Sequence, residues 1–119
     1  MHQQVRDGAD GFKIFAGSIE SDGMLLMRRD LAKAIVDAAH SEHRLVCSHP
    51  STTEGVELSL DSGVDILAHV ALIEGPWPPS LVERMKAAHM SLVPTLTMFG
   101  VEAKKAKVSE REKTRSGWA

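Results

Sequence analysis

Two histidines in this chain each close a short apolar run. His49 ends LVCSH and His69 ends VDILAH. Neutral imidazole is the commonest metal ligand among the side chains, and it also shuttles protons near neutral pH. A third ionisable group, Lys13, lies between Phe12 and Ile14 in GFKIFAG. An ammonium in a strand covered on both faces is costly unless it is paired, liganded or modified. Such a lysine can join a metal site only when deprotonated or converted to a carbamate, an anion with two oxygens. A single strand-end imidazole is ordinarily a hydrogen-bonded structural residue. Two at successive strand ends make metal ligation an equal alternative. For Lys13 the plainer reading is a stem that covers apolar surface and an ammonium that reaches water.

The elements that must position these groups alternate in type. GFKIFAG reads as a strand and SIESDG after it as a loop. Met24–His40 carries Leu25, Leu26, Leu31, Ala34, Ile35, Ala38 and Ala39 at helical spacing, with its core over Arg28–His40. LVCS is a strand stopped at His49-Pro50, because proline has no N–H for the ladder. Ser51 or Thr52 can cap a helix over Thr53–Ser62, and Gly63 is suited to end it. Val64–Ala68 is the next strand. PPSLVERMKAAH opens with prolines suited to a helix start, and Met90–Thr97 is a further strand. Continuous apolar strands alternating with helices predict an α/β protein, either a doubly wound sheet or part of a barrel. In both, the carboxyl ends of parallel strands form the working face, which receives His49, His69 and Thr95 or Thr97. No Gly-rich phosphate loop is present: GADG and SLDSG match neither GxGxxG nor a P-loop.

The remaining candidates have plainer readings. His40, His43 and His89 fall at helix C-termini, where a cation suits the dipole. His2 is expected to be disordered. Cys47, inside its strand, reads as a small buried hydrophobe. With one cysteine among 119 residues no internal disulfide can form, and a cytoplasmic location is expected. The formal net charge of -2 makes no electrostatic case for nucleic acid or an acidic membrane. No apolar run approaches the roughly 20 residues of a spanning helix.

Taken in order, GADGFKIFAG, DLAKAIVDAAHSEHRLVCSHP, GVELSLDSGVDILAH and LVERMKAAHMSLVPTLT resemble the metal-dependent amidohydrolase superfamily, within it the imidazolonepropionase-like and prolidase-like branch. The resemblance runs from about Asp7 to Phe99. It implies a partial (β/α)8 barrel of about four parallel strands, the fourth to seventh of the family, over residues 1–99. Residues 100–119 form a charged segment, helical or disordered. The resemblance further implies that Lys13 matches a lysine that is often carbamylated and bridges two metals. His49 and His69 match histidines that bind the second metal, with zinc the expected divalent ion. Trp77 and Thr95 are expected to contact a small-molecule substrate.

The chain also departs from the family. It contains no His-x-His pair, and no strand that could carry the family's strand-eight aspartate follows Thr97. In a complete relative, metal acidifies water and polarises a carbonyl while that aspartate moves the proton. The expected reaction is hydrolysis of an amide, cyclic amide or related carbon–nitrogen bond, and this chain is expected to be incomplete for it. A truncated product, a gene fragment or one piece of a split protein would all account for this. The alternative is an inactive half-barrel that serves as an oligomerising or interaction module. Self-association or pairing with the missing barrel half is expected at the open sheet edges.

Overall fold

The computed structural model describes residues 1–20, 23–69, 74, 76–95 and 97. Its elements in chain order are α1 (His2–Arg6), β1 (Gly11–Phe15), β2 (Gly17–Glu20), β3 (Gly23–Leu26), α2 (Arg29–Ser41), β4 (Leu45–His49), α3 (Thr53–Ser62), β5 (Ile66–Ala68), α4 (Pro79–Ala87) and β6 (Ser91–Val93). Strands β1, β4, β5 and β6 form one parallel sheet in that spatial order, and β2 pairs with β3 as a separate antiparallel hairpin.

Local chemistry sets the helix boundaries. Thr52 is extended, and its hydroxyl accepts from the Gly55 amide at 3.1 Å, which caps α3. The Glu74 carboxylate accepts from the Thr53 amide at 2.5 Å, and the Thr53 side chain together with that amide holds it below the usual carboxylate range. A Cβ at Gly55 would fall on the Pro50 carbonyl, so the start of α3 presses directly on the chain leaving β4. The helix stops at Gly63, whose φ of +84° is left-handed. There Gly63 N donates to Leu60 O and Val64 N to Ser59 O, a pair of bonds that satisfies the last carbonyls. Helices α2 and α4 end with the same pair of bonds, but with His43 and His89 in the left-handed slot.

Strand alternation divides the sheet into two faces. Ile14, Val46 and Leu67 share the face covered by helices. Ile14 and Val46 pack with Ala32, Val36, Ala39 and Leu58, and Leu67 packs with Val56, Leu81 and Met85. Burying a side chain such as Leu67 or Leu81 contributes about 1.5–3 kcal/mol. Among the described residues, helices α2, α3 and α4 all lie on this one face. A doubly wound sheet would carry helices on both, so the architecture is that of a barrel portion. The buried hydroxyls on this side are satisfied: Ser48 and Ser59 share a hydrogen bond of 2.7 Å, and Ser59 donates to Gly55 O. Asp61 ties the helices together, accepting from Arg29 at 2.5 Å and Arg84 at 2.6 Å.

At the amino end of the sheet, Asp65 joins three strands. Its carboxylate accepts from the Val46 amide at 2.8 Å and from His40 Nε2 at 2.9 Å. Its own amide donates to Val46 O, and its carbonyl accepts from Ser91 N.

Several expectations need correction. SIESDG is not a loop: Gly17–Glu20 and Gly23–Leu26 form the β2–β3 hairpin, closed by the pairing of Glu20 with Gly23. A short apolar run such as MLL fits either period, so the helical reading began too early. The last two strands are also shorter than expected, at three residues each. His2 is ordered in α1, and its Nδ1 meets the Glu42 carboxylate. Lys13 is not in a strand buried on both faces: in β1 only Ile14 is buried, and Lys13 is exposed. The charged segment 100–119 lies outside the described residues. No helix among the described residues is long and apolar enough to cross a membrane.

Candidate metal centre

The face opposite the helices carries Lys13, Phe15, Cys47, His49, Ile66 and Ala68. Register aligns Lys13 with Cys47 and Cys47 with Ile66 in one layer. The next layer toward the carboxyl ends pairs Phe15 with His49. His49 thus reaches the open face by plain alternation. His69 does not. Ser48 pairs with Leu67 on the helix side, so Ala68 falls level with His49, and His69 lies one residue too far along. A regular strand would aim it at the helices. Instead, its φ of +79° turns the backbone and redirects the ring.

The result is an edge-on imidazole pair with ring centroids 5.0 Å apart. Two imidazoles bound to one tetrahedral ion at about 2.0–2.1 Å would have centroids about 5 Å apart, so the spacing suits a shared metal. It also suits ring-on-ring packing. Phe15 lies against the other side of His49, with centroids 5.3 Å apart and its own ring 55% exposed. Lys13 Nζ is 5.4 Å from the centre of that ring.

Burial holds the His49 imidazole below its ordinary pKa, and the nearby His69 and Lys13 lower it further. This favours neutral imidazole, the form a metal ligand needs. The His69 ring meets Thr95, with 2.8 Å between Nδ1 and Oγ1, and the His69 amide donates to Val93 O at 2.8 Å.

The structure therefore brings together His49, His69 and Thr95 at the carboxyl ends of neighbouring strands, with Lys13 one layer below on the same face. Trp77 belongs elsewhere: it is partly buried and packs against the Val56, Leu67, Leu81 and Met85 cluster. Most of the loop between His69 and Trp77 lies outside the described residues. Phe15 was not singled out from sequence, although its two-residue spacing from Lys13 places both on one face.

The donor set fits a divalent ion in part. Two imidazoles are fewer than the three or four protein ligands of a zinc site. Among the described residues no group of three or more His, Cys, Asp and Glu could complete it. Lys13 as an ammonium supplies no lone pair. The residues present thus fit as two ligands of a centre that needs more.

No family model matches the chain, and no curated protein does. Solved structures do. A Xaa-Pro dipeptidase with methionine bound in its active site is similar over 90% of this chain and 27% of its own, with TM-score 0.75 and 26% identity. Ochratoxinase from A. niger matches with TM-score 0.75 and 23% identity, covering 88% of this chain and 24% of its own. An amidohydrolase matches with TM-score 0.72 and 22% identity, covering 89% and 26%. The chain spans about a quarter of the length of these structures. With its parallel strands, its helices on one face and these likenesses, the chain resembles a portion of an amidohydrolase (β/α)8 barrel.

Proposed function

We propose that this chain supplies two imidazole ligands, His49 and His69, to the divalent metal centre of an amidohydrolase-type hydrolase acting on carbon–nitrogen bonds. The observation that carries this reading is the edge-on pair at 5.0 Å, reached only through the left-handed backbone at His69. When bound, a divalent ion such as zinc polarises a carbonyl and acidifies water. The chain's own residues have three tasks in that chemistry. His49 and His69 would offer one imidazole each to the ion. Phe15 excludes water from one flank of His49 and offers apolar surface to a small-molecule substrate. Lys13 stands one layer below, and we assign it as a third ligand when it is carbamylated. Among the described residues no group is placed to move the proton, so on this reading the complete reaction draws on further barrel segments. A cytoplasmic site of action is part of this reading and rests on the single cysteine.

The test is metal content of the purified chain by elemental mass spectrometry, beside a His49→Ala/His69→Ala variant. Stoichiometric zinc in the parent and its loss in the variant is the expected result. Equal metal in both would sink the ligand assignment.

A second reading is favoured by the apolar groups at the sheet edges. Phe15 on β1 and Leu92 and Val93 on β6 are all exposed. Neither outer strand pairs on its far side among the described residues. On this reading the chain is an inactive interaction module that associates with itself or with other barrel segments, and sedimentation would show a complex without metal.

A further inference from the structure

Strand β4 ends at His49, because Pro50 has no N–H to carry the ladder further. Beyond that point a side chain takes over. The register that pairs Phe15 with His49 sets Gly17 opposite Ser51 two residues on. There the Ser51 hydroxyl donates to Gly17 O at 2.9 Å, where the backbone makes no further rung. The chain turns tightly to present it. Thr52 N donates to Pro50 O at 2.7 Å across Ser51, whose φ of 57° is left-handed. A three-residue turn with positive φ at its centre is the strained form. Bare backbone packs beside it, since a Cβ on Gly17 would lie 2.5 Å from Pro50 O. Gly17 is also the first residue of β2, and the Met27 amide closes the base of the hairpin on Ala16 O at 2.9 Å. The turn after His49 and the root of the β2–β3 hairpin therefore meet directly.

We propose that Ser51 is a positioning residue for His49: its hydroxyl acts as a terminal rung that keeps the Phe15–His49 pair closed and couples the β2–β3 hairpin to the strand end bearing the imidazole. The last pair of a ladder frays unless the chain beyond it is tied. Phe15 and His49 are that last pair, and their rings meet with centroids 5.3 Å apart. Phe15 is exposed, so burial in the core does not hold its ring there. The tie beyond the pair is the Ser51 bond, and the strain in the turn is what presents the hydroxyl to Gly17. A load on the hairpin is thereby felt at His49, through Gly17 and Ser51. The coupling stands on these contacts alone. Its bearing on function rests on His49 belonging to the site proposed above.

The experiment uses the full chain without added metal, so its outcome is separate from that of the ligand assignment. Ser51→Gly keeps the left-handed turn and removes only the hydroxyl. Ser51→Ala removes the hydroxyl and keeps the strain. Gly17→Ala presses on Pro50 O from the hairpin side. Ring-proton shifts of His49 are read by NMR at about pH 8, where the imidazole is neutral, beside hydrogen exchange at the Met27 amide and urea unfolding. In the parent the Phe15 ring displaces the His49 ring signals. Both Ser51 variants should reduce that displacement and speed exchange at Met27 about fivefold relative to global unfolding, the equivalent of one ordinary hydrogen bond. Gly17→Ala should move the same His49 signals. A serine that merely stabilises the turn would leave the His49 shifts and the relative Met27 exchange at parental values in Ser51→Gly, and that result overturns the proposal. So do His49 signals that respond to Ser51→Gly and not to a folded Gly17→Ala. If Gly17→Ala does not fold, the two Ser51 variants decide alone.

Discussion

The two ends of the parallel sheet each hold a histidine whose ring nitrogen meets an oxygen, and they use it differently. At the amino end, His40 lies in the last turn of α2, where a cation suits the dipole, and its Nε2 meets Asp65. Asp65 also holds the Val46 amide, so the contact extends the main-chain ladder across two strands. His40 and Asp65, which make that contact, have regular backbone, and the left-handed residues at this end, His43, Gly63 and His89, serve to stop helices. At the carboxyl end, His69 and Thr95 both have left-handed backbones, and the ring is turned across the strand end to reach His49. One end joins strands, and the other spends backbone strain to aim a side chain. That division matches the barrel rule that the amino face serves stability and the carboxyl face chemistry.

If the division is right, substitutions at the two ends should separate cleanly. The largest effect belongs to His49→Ala or His69→Ala. Each should weaken zinc by more than about 100-fold, above the roughly 10- to 100-fold loss for a supporting residue, while denaturation midpoints move little. A large loss of stability at either position would break the comparison. Next, Asp65→Ala leaves the Val46 amide without its acceptor and should lower unfolding free energy by about 1–3 kcal/mol, with zinc affinity unchanged. Urea unfolding and calorimetry together check both halves.

A smaller effect is expected from pH. The His49 pKa lies below its ordinary value of 6.5 because of burial, with His69 and Lys13 adding to it. Between the folded and unfolded pKa values the unfolded chain binds more protons. The His49 contribution therefore makes stability fall as pH drops below about 6.5 toward the lower folded value. Comparing the parent with His49→Gln from pH 7.5 to 5.5 should show the slope reduced in the variant. An NMR midpoint for His49 above 6.5 would contradict it. The smallest effect is a gain. His43 occupies a left-handed slot that glycine fills without steric cost, so His43→Gly should stabilise by up to about 1 kcal/mol once the added freedom of the unfolded chain is counted.

Much of the frame was legible in the residues. Thr52 and Gly63 bound α3 as their side chains dictate, and His49-Pro50 ends β4. The helix-end positions of His40, His43 and His89 also hold. The hairpin escaped because the leucines after Gly23 satisfy two periods at once, and pairing with Gly17–Glu20 decided between them. The site was legible in residue type but not in aim. Sequence places His49 and His69 at strand ends. The register that separates them by one step, and the positive φ that closes the step, are tertiary facts. Thr95 illustrates the same limit: its position was readable, while its partner depended on how β5 and β6 align.

The register of the sheet also bears on the order in which it can assemble. Cys47 reaches Ile66 across α3 alone, whereas Gly11 reaches Leu45 across both the β2–β3 hairpin and α2. Closing the longer loop costs roughly half a kcal/mol more in chain entropy, before any stiffness of the inserted hairpin is counted. The unit from β4 to β5 should therefore form early and β1 should dock late, an order that pulse-labelled hydrogen exchange can resolve. The strand that carries Lys13 would then arrive at a surface on which the imidazoles of His49 and His69 are already in place.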